Sequence, residues 1–314
     1  VSKIVVTGGG GFIGSHLVRA LLSQGKRVTV LDNFSTGHPG NLSEVQADCE
    51  IIEGDIRDYA TVHKAVRGAT AVLHQAALPS VPRSIRDPLS SNEVNITGTL
   101  HVLQASAAAG VERLVFAGSS SVYGNQPGLP RVETMRTAPA SPYALNKLAG
   151  ETYARLYAEL FGLETVTLRY FNVFGPRQNP DSEYAAVIPK FIRAMLSGQS
   201  PHIHGDGRQS RDFTYIDNVI EANLLALKAP LLRGEAANIG GGGSVALADI
   251  VDRINGMLGL QIEPVHGPDR QGDVKHSHAD IGLAERLLGY RPVVAFDEGL
   301  KRTLGWYQEN KGVG

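Results

Sequence analysis

The chain has 314 residues, with 30 lysines and arginines against 31 aspartates and glutamates, and a single cysteine. Balanced charge argues against a nucleic-acid binder, and the lone Cys49 excludes an internal disulfide framework and fits a reducing compartment. With no basic-then-apolar leader and no apolar run near the roughly 18 residues of a membrane span, the sequence predicts a soluble, cytoplasmic protein.

The first predicted element is a strand at Ile4-Val5-Val6, short, β-branched and uniformly apolar. Four glycines follow Thr7, and then Phe12, Ile13, Leu17, Val18, Leu21 and Leu22 recur at helical spacing. Strand, glycine turn and helix form the phosphate-cradling start of a dinucleotide site, and the run satisfies two spacings, Gly8, Gly11 and Gly14 as GxxGxxG or Gly9, Gly11 and Gly14 as GxGxxG. A second strand, Arg27–Leu31, ends in Asp32, where a carboxylate takes the adenosine ribose hydroxyls. Asn33, Phe34 and Ser35 follow without an arginine for a 2′-phosphate, so the site selects NAD over NADP. The polar loop through Gly37 borders the same site.

A third strand, Glu50–Glu53, runs into Gly54, Asp55 and Ile56, and a short helix is predicted from Asp58 to Val66. A fourth strand, Ala69–His74, ends in Gln75, Ala76 and Ala77. Strands alternating with helices predict a doubly wound parallel α/β sheet of the Rossmann type, with ligands at the carboxyl ends of its strands. A loop carrying Pro79, Pro82 and Pro88 leads to a long predicted helix from about Ser91 to Ala109. Strand Arg113–Ala117 opens into Gly118, Ser119, Ser120 and Ser121. After a Pro/Gly-rich excursion, Ser141 and Pro142 supply an N-cap and first-turn proline for a helix reaching about Phe161. A sixth strand covers Glu164–Tyr170.

Near Val173 the alternation loosens, predicting entry into a smaller mixed α/β lobe. Phe213–Ala229 reads as a strand and helix returning to the first lobe, and Gly240–Gly243 as the crossing back. The expected division is a dinucleotide-binding domain of residues 1–172 with 212–239, and a substrate lobe of 173–211 with 240–314. Helices near Leu247–Leu258, Ile281–Leu288 and Asp297–Glu309 complete the chain.

Tyr143 and Lys147, one helical turn apart, share a helix face, and the serines at the end of a neighbouring strand complete a plausible proton-transfer site. A phenol is a poor base at neutral pH. A nearby ammonium and the positive nicotinamide ring would favour the phenolate, while a serine hydroxyl fixes the substrate oxygen. His202 with His204 and His276 with His278 lack a further ligand set, so alternating strand polarity explains them and no metal is expected.

Gly8–Gly14, Asp32, Asp55, Ser119, Tyr143 and Lys147 together resemble the extended short-chain dehydrogenase/reductase family. Within it the chain is similar to the UDP-hexose 4-epimerases, above all the branch acting on UDP-N-acetylglucosamine and UDP-N-acetylgalactosamine. The stretches Ala77–Ser84, Arg169–Asn172, Ala185–Lys190, Ser210–Phe213 and Arg270–Ser277 carry that likeness.

The resemblance implies that Tyr143 takes the proton of the sugar 4-hydroxyl while hydride passes from C4 to NAD. The 4-keto sugar then turns over and hydride returns to its other face. Ser119 matches the family's catalytic serine, with Ser120 as a neighbour sharing the work, and Lys147 also holds the nicotinamide ribose. Asn95, Tyr170 and Val173 fall on the cofactor side. Ser80, Ser119, Asn172, Ala186, Val187, Arg211, Arg270, Asp273 and Ser277 fall on the nucleotide-sugar side, with Asn172 and the two arginines at the diphosphate and Asp273 at the uridine ribose. Ser277 stands where epimerases restricted to plain hexoses carry a bulky residue, so it implies room for a 2-acetamido group. Ser120 and Ser121 replace the acidic pair of the dehydratase branch, which argues against dehydration. A uronic-acid 4-epimerase differs only in its substrate's C6. The resemblance also implies a homodimer in which the helices near Ser91–Ala109 and Pro142–Phe161 form a four-helix bundle.

Overall fold

Apolar residues of both parities along each early strand dictate a sheet buried on its two faces. A computed structural model describes residues 2–180, 186–268 and 275–310. The strands β1 (Lys3–Thr7), β2 (Arg27–Asp32), β3 (Glu50–Glu53), β4 (Ala71–His74), β5 (Arg113–Ser119) and β6 (Glu164–Tyr170) join Glu235–Ile239 in one seven-stranded sheet. Starting from Glu235–Ile239, its order is β6, β5, β4, β1, β2, β3, and every pairing is parallel. The chain therefore reverses its winding between β1 and β4, and the crevice outside those strand ends is the expected ligand position.

Alternation along the strands separates two cores. Ile4, Val6, Val30, Leu73 and Val115 face the helices Phe12–Ser23 and Ile216–Lys228, contacting Leu17, Leu21, Val219 and Ala222. Val5, Leu31, Val72, Leu114 and Phe116 face the other side, with Val62 and Val66 of helix Tyr59–Val66, Val102 and Leu103 of helix Thr99–Ala108, and Ala154 and Tyr157 of helix Pro142–Phe161. Among the described residues, three two-stranded ladders lie outside the main sheet: Val173–Phe174 with Thr214–Tyr215, Ser210–Arg211 with Val245–Ala246, and His202–His204 with Val265–Gly267. Within the last, exposed His202 and His204 flank buried Ile203, the polarity expected of a strand with one solvated face.

Two local expectations change. The triple-proline stretch is not a loop, because Pro82 and Pro88 sit in the first turns of helices Val81–Arg86 and Pro88–Asn92, where a missing N–H costs nothing. The single long helix predicted from Ser91 is also interrupted. Residues Glu93–Gly98 form a π-helical turn before helix Thr99–Ala108 begins. A Cβ at Gly98 would lie 2.6 Å from the Ile56 side chain, so this turn presses against the β3 exit. No helix among the described residues is long and apolar enough to cross a membrane.

Candidate active site

The glycine turn is held by its own geometry. Gly8 adopts a positive φ of 69°, and a Cβ there would lie 2.7 Å from the Ala76 nitrogen. At Gly14 a Cβ would stand 2.1 Å from the Gly8 carbonyl oxygen, so the first helix approaches the turn only because no side chain intervenes. The Asp32 carboxylate accepts hydrogen bonds from the Gly10 N–H at 2.8 Å and the Phe34 N–H at 2.7 Å. Burial raises its pKa while those two bonds oppose the rise. The loop beyond it closes over the turn, with the His38 N–H and the Asn41 amide both donating to the Gly10 carbonyl.

This turn forms one end of a cavity of about 690 Å³ that runs along the carboxyl ends of the sheet strands. Gly11, Phe12, Ile13, Asn33, Ser35, Gly37, Asp55, Ile56, Gln75, Ala76 and Ala77 all line this cavity. Asp55 accepts from the Asn33 amide at 2.9 Å and from Arg57 at 2.7 Å, and the guanidinium holds its pKa down at about 2. Tyr170 and Val173 lie further along the wall. The Tyr170 hydroxyl is held by the Asn223 amide at 2.8 Å, and burial pushes its pKa up to about 12.

At the middle of the cavity stand Ser119, Ser120, Tyr143 and Lys147. Ser119 ends β5, its Oγ 2.9 Å from that of Ser121 and accepting from the Ser121 N–H. Tyr143 and Lys147 come from helix Pro142–Phe161, capped as predicted by the Ser141 hydroxyl, which accepts from the Ala144 N–H at 3.2 Å. Lys147 donates to the Ala117 carbonyl at 2.9 Å, and its Nζ lies 5.1 Å from the Phe116 ring centroid and 6.0 Å from that of Tyr143. Burial lowers the lysine pKa to about 8. Burial also raises the Tyr143 pKa, opposed by the Ser119 hydroxyl. In the protein alone, burial outweighs the hydrogen bond from Ser119.

The far end is lined by Ser80, Asn172, Ala186, Arg211 and Ser277. Ser80 and Asn172 both adopt positive φ, 101° and 27°, uncommon for side-chain-bearing residues and concentrated at functional sites. The Asn172 amide donates to the Ser277 Oγ at 3.2 Å, and the buried Asp212 joins this corner through the Gly241 and Ala279 N–H groups.

Three expected residues stand off the cavity wall. Phe34 lies over Gly10, where a Cβ would meet its ring at 2.5 Å. Asn95, in the π-helical turn, instead clamps the Leu78 backbone, accepting from its N–H at 2.8 Å and donating to its carbonyl at 3.0 Å. Val187 opens the helix Val187–Leu196 behind Ala186. Arg270 and Asp273 lie outside the described residues. Sequence reasoning did not single out Arg131, Gln178 or Asn179 on the wall, nor Asp212 and Asn223 behind it. No spacing marks residues brought in from separate loops.

A Rossmann-type sheet with a glycine turn, a buried carboxylate ending its second strand and a Ser-Tyr-Lys set defines a dinucleotide-dependent enzyme class. The chain belongs to the NAD dependent epimerase/dehydratase family, which it matches over residues 4–240. It is 40% identical over 309 residues to a putative UDP-glucose 4-epimerase of Methanocaldococcus jannaschii, covering 98% of this chain and 99% of the relative. Its structure is similar to a UDP-N-acetylglucosamine 4-epimerase from Methanobrevibacter ruminantium M1 in complex with UDP-N-acetylmuramic acid, with TM-score 0.94, 40% identity, and 98% and 99% of the two chains covered. It is likewise similar to the Thermus thermophilus UDP-glucose 4-epimerase in complex with NAD, with TM-score 0.89, 37% identity and coverage of 98% and 99%. The side-chain-free turn at Gly8–Gly11 and the Asp32 acceptor fit NAD.

Proposed function

We propose that the chain epimerises UDP-hexoses at C4, including UDP-N-acetylglucosamine and UDP-N-acetylgalactosamine. The observation that carries this reading is the continuity of one cavity from the glycine turn, past Ser119, Tyr143 and Lys147, to Asn172, Arg211 and Ser277. NAD, when bound, supplies the hydride acceptor at C4 and returns the hydride. Tyr143 takes the proton from the sugar O4 and gives it back after the ketone has turned over. Ser119 hydrogen-bonds the same oxygen, and Lys147, anchored on the Ala117 carbonyl, holds the ribose and offsets phenolate charge. Asn172 and Arg211 bind the diphosphate, a planar guanidinium suiting paired phosphate oxygens.

Asp32 and Asp55 are the only carboxylates among the described residues of the cavity wall, and both belong to the glycine-turn end. Ser120 and Ser121 stand beside the reacting position instead. That absence of an acid favours epimerisation over dehydration. The small Ser277 side chain favours a substrate bearing a 2-acetamido group.

The same reading divides the chain into the dinucleotide domain and substrate lobe set out above, in a cytoplasmic homodimer. Ile85, Leu89 and Leu145 are 62%, 77% and 54% exposed, on helices Val81–Arg86, Pro88–Asn92 and Pro142–Phe161, the face a two-fold helix bundle would cover.

The test is an NMR time course without added NAD on UDP-N-acetylgalactosamine and, separately, UDP-galactose. Gluco anomeric signals from both substrates are expected. Conversion of UDP-galactose alone would remove the acetamido reading, and no conversion even with added NAD would remove the epimerase reading.

A further inference from the structure

Arg131 has no part in the chemistry above. It is only 4% exposed, yet it contributes to the wall of the same cavity that Tyr123, Gly124 and the Ser119–Ser121 turn line. Its backbone is fixed next to Ser277. The Arg131 N–H donates to the His278 carbonyl at 2.7 Å, and its carbonyl accepts from the Asp280 N–H at 2.9 Å and the Asn238 amide at 2.9 Å. The guanidinium itself makes one long contact, donating through Nη1 to the Pro127 carbonyl at 3.4 Å.

Among the described residues no carboxylate lies within ion-pair distance of Arg131. The other buried arginine, Arg169, is bidentate to Glu151 and also donates to Tyr123. A buried guanidinium is ordinarily paired, because removing it from water without a counter-charge is costly. Asp32 and Asp55 cannot serve, since they end β2 and follow β3. The sheet order sets β2 three strand spacings, roughly 14 Å, from β5.

We propose that Arg131 receives a carboxylate carried by the hexose, so that the cavity accepts acidic nucleotide sugars as well as neutral ones. This rests on the nucleotide-sugar reading of the same site. The planar fork of a guanidinium matches a carboxylate through two parallel hydrogen bonds. Its backbone stands beside Ser277, the residue read as bordering the hexose C2, which directs it to the sugar rather than to the diphosphate.

The experiment compares kcat/KM of the holoenzyme for UDP-glucuronate and UDP-glucose in the wild type, Arg131→Met and Arg131→Lys. The wild type is expected to convert both. Arg131→Met should lower the acidic-to-neutral ratio by about ten- to a hundredfold, the range of a hydrogen bond to a charged group. Arg131→Lys, keeping the charge without the fork, should recover part of it. Equal losses on both substrates, or an equal loss in UDP binding, would overturn the proposal in favour of a diphosphate contact or a structural role. A wild type inert toward UDP-glucuronate would overturn it as well. Should neither sugar be converted, the epimerase reading fails first. Calorimetric binding to the wild type then still decides, because the proposal requires UDP-glucuronate to bind more tightly than UDP-glucose.

Discussion

The Asn172 side-chain amide donates to the Ser277 hydroxyl at 3.2 Å, although the two residues are 105 positions apart. Ser277 Oγ also accepts from the Asp212 N–H at 3.3 Å, so one small hydroxyl ties together three loops of the cavity's far end. The serine thus does more than leave space.

Ser277→Tyr is expected to abolish turnover of UDP-N-acetylgalactosamine. It should also reduce turnover of UDP-galactose several-fold, because Asn172 and the Asp212 N–H lose their shared acceptor and Asn172 keeps only the Asp212 carbonyl at 3.0 Å. Ser277→Ala, which keeps the space and removes the acceptor, should retain both activities with raised KM. Steady-state kinetics on the two sugars check this, and an equal loss for both in the Tyr variant would refute the acetamido pocket.

Lys147 should leave a signature in stability against pH. Its folded pKa of about 8 lies below the unfolded value near 10.4, so the unfolded chain binds more protons between those limits. Stability contributed through this group therefore rises as pH increases from about 8 to about 10.5, by on the order of 3 kcal/mol. Urea unfolding of nucleotide-free wild type and Lys147→Met across that range should show the rise only in the wild type.

Tyr143→Phe removes the proton acceptor and is expected to lower kcat by about 10²–10⁴-fold with little change in substrate binding. Ser119→Ala acts in the same direction more weakly. It should also move the ascending limb of the kcat profile to higher pH, because the serine hydroxyl is what opposes the upward shift of the tyrosine, which must be deprotonated to accept the proton. A pH–rate profile for each variant distinguishes the two roles.

Arg169 and Glu151 form a buried bidentate pair, with side chains 5% and 12% exposed, that joins β6 to the helix carrying Tyr143. Arg169→Met leaves the carboxylate buried without its partner and should cost about 3–5 kcal/mol of stability. Arg169→Lys should recover only part of this, since an ammonium cannot reproduce the fork. Denaturant midpoints of the three proteins provide the test.

Leu89→Asp with Leu145→Asp puts charges on the exposed apolar face of the helices beside the catalytic residues. Light scattering should show a dimer for the wild type and a monomer for the double variant. A wild-type monomer at all concentrations would refute the proposed bundle.

The sequence alone determined what depends on local chemistry. Strand β1, the glycine turn and the helix after it follow from neighbouring residues whose periodicity and missing side chains permit only one arrangement. Asp32 at the end of β2, and Tyr143 with Lys147 behind the Ser141 cap, were legible for the same reason. Tertiary structure decided what depends on distant segments meeting. It alone put Ser277 against Asn172, turned Asn95 onto the Leu78 backbone, and left Arg131 buried with no carboxylate among the described residues within ion-pair distance. It also set the burial of Tyr143, which depends on everything packed around the phenol and on no spacing in the sequence.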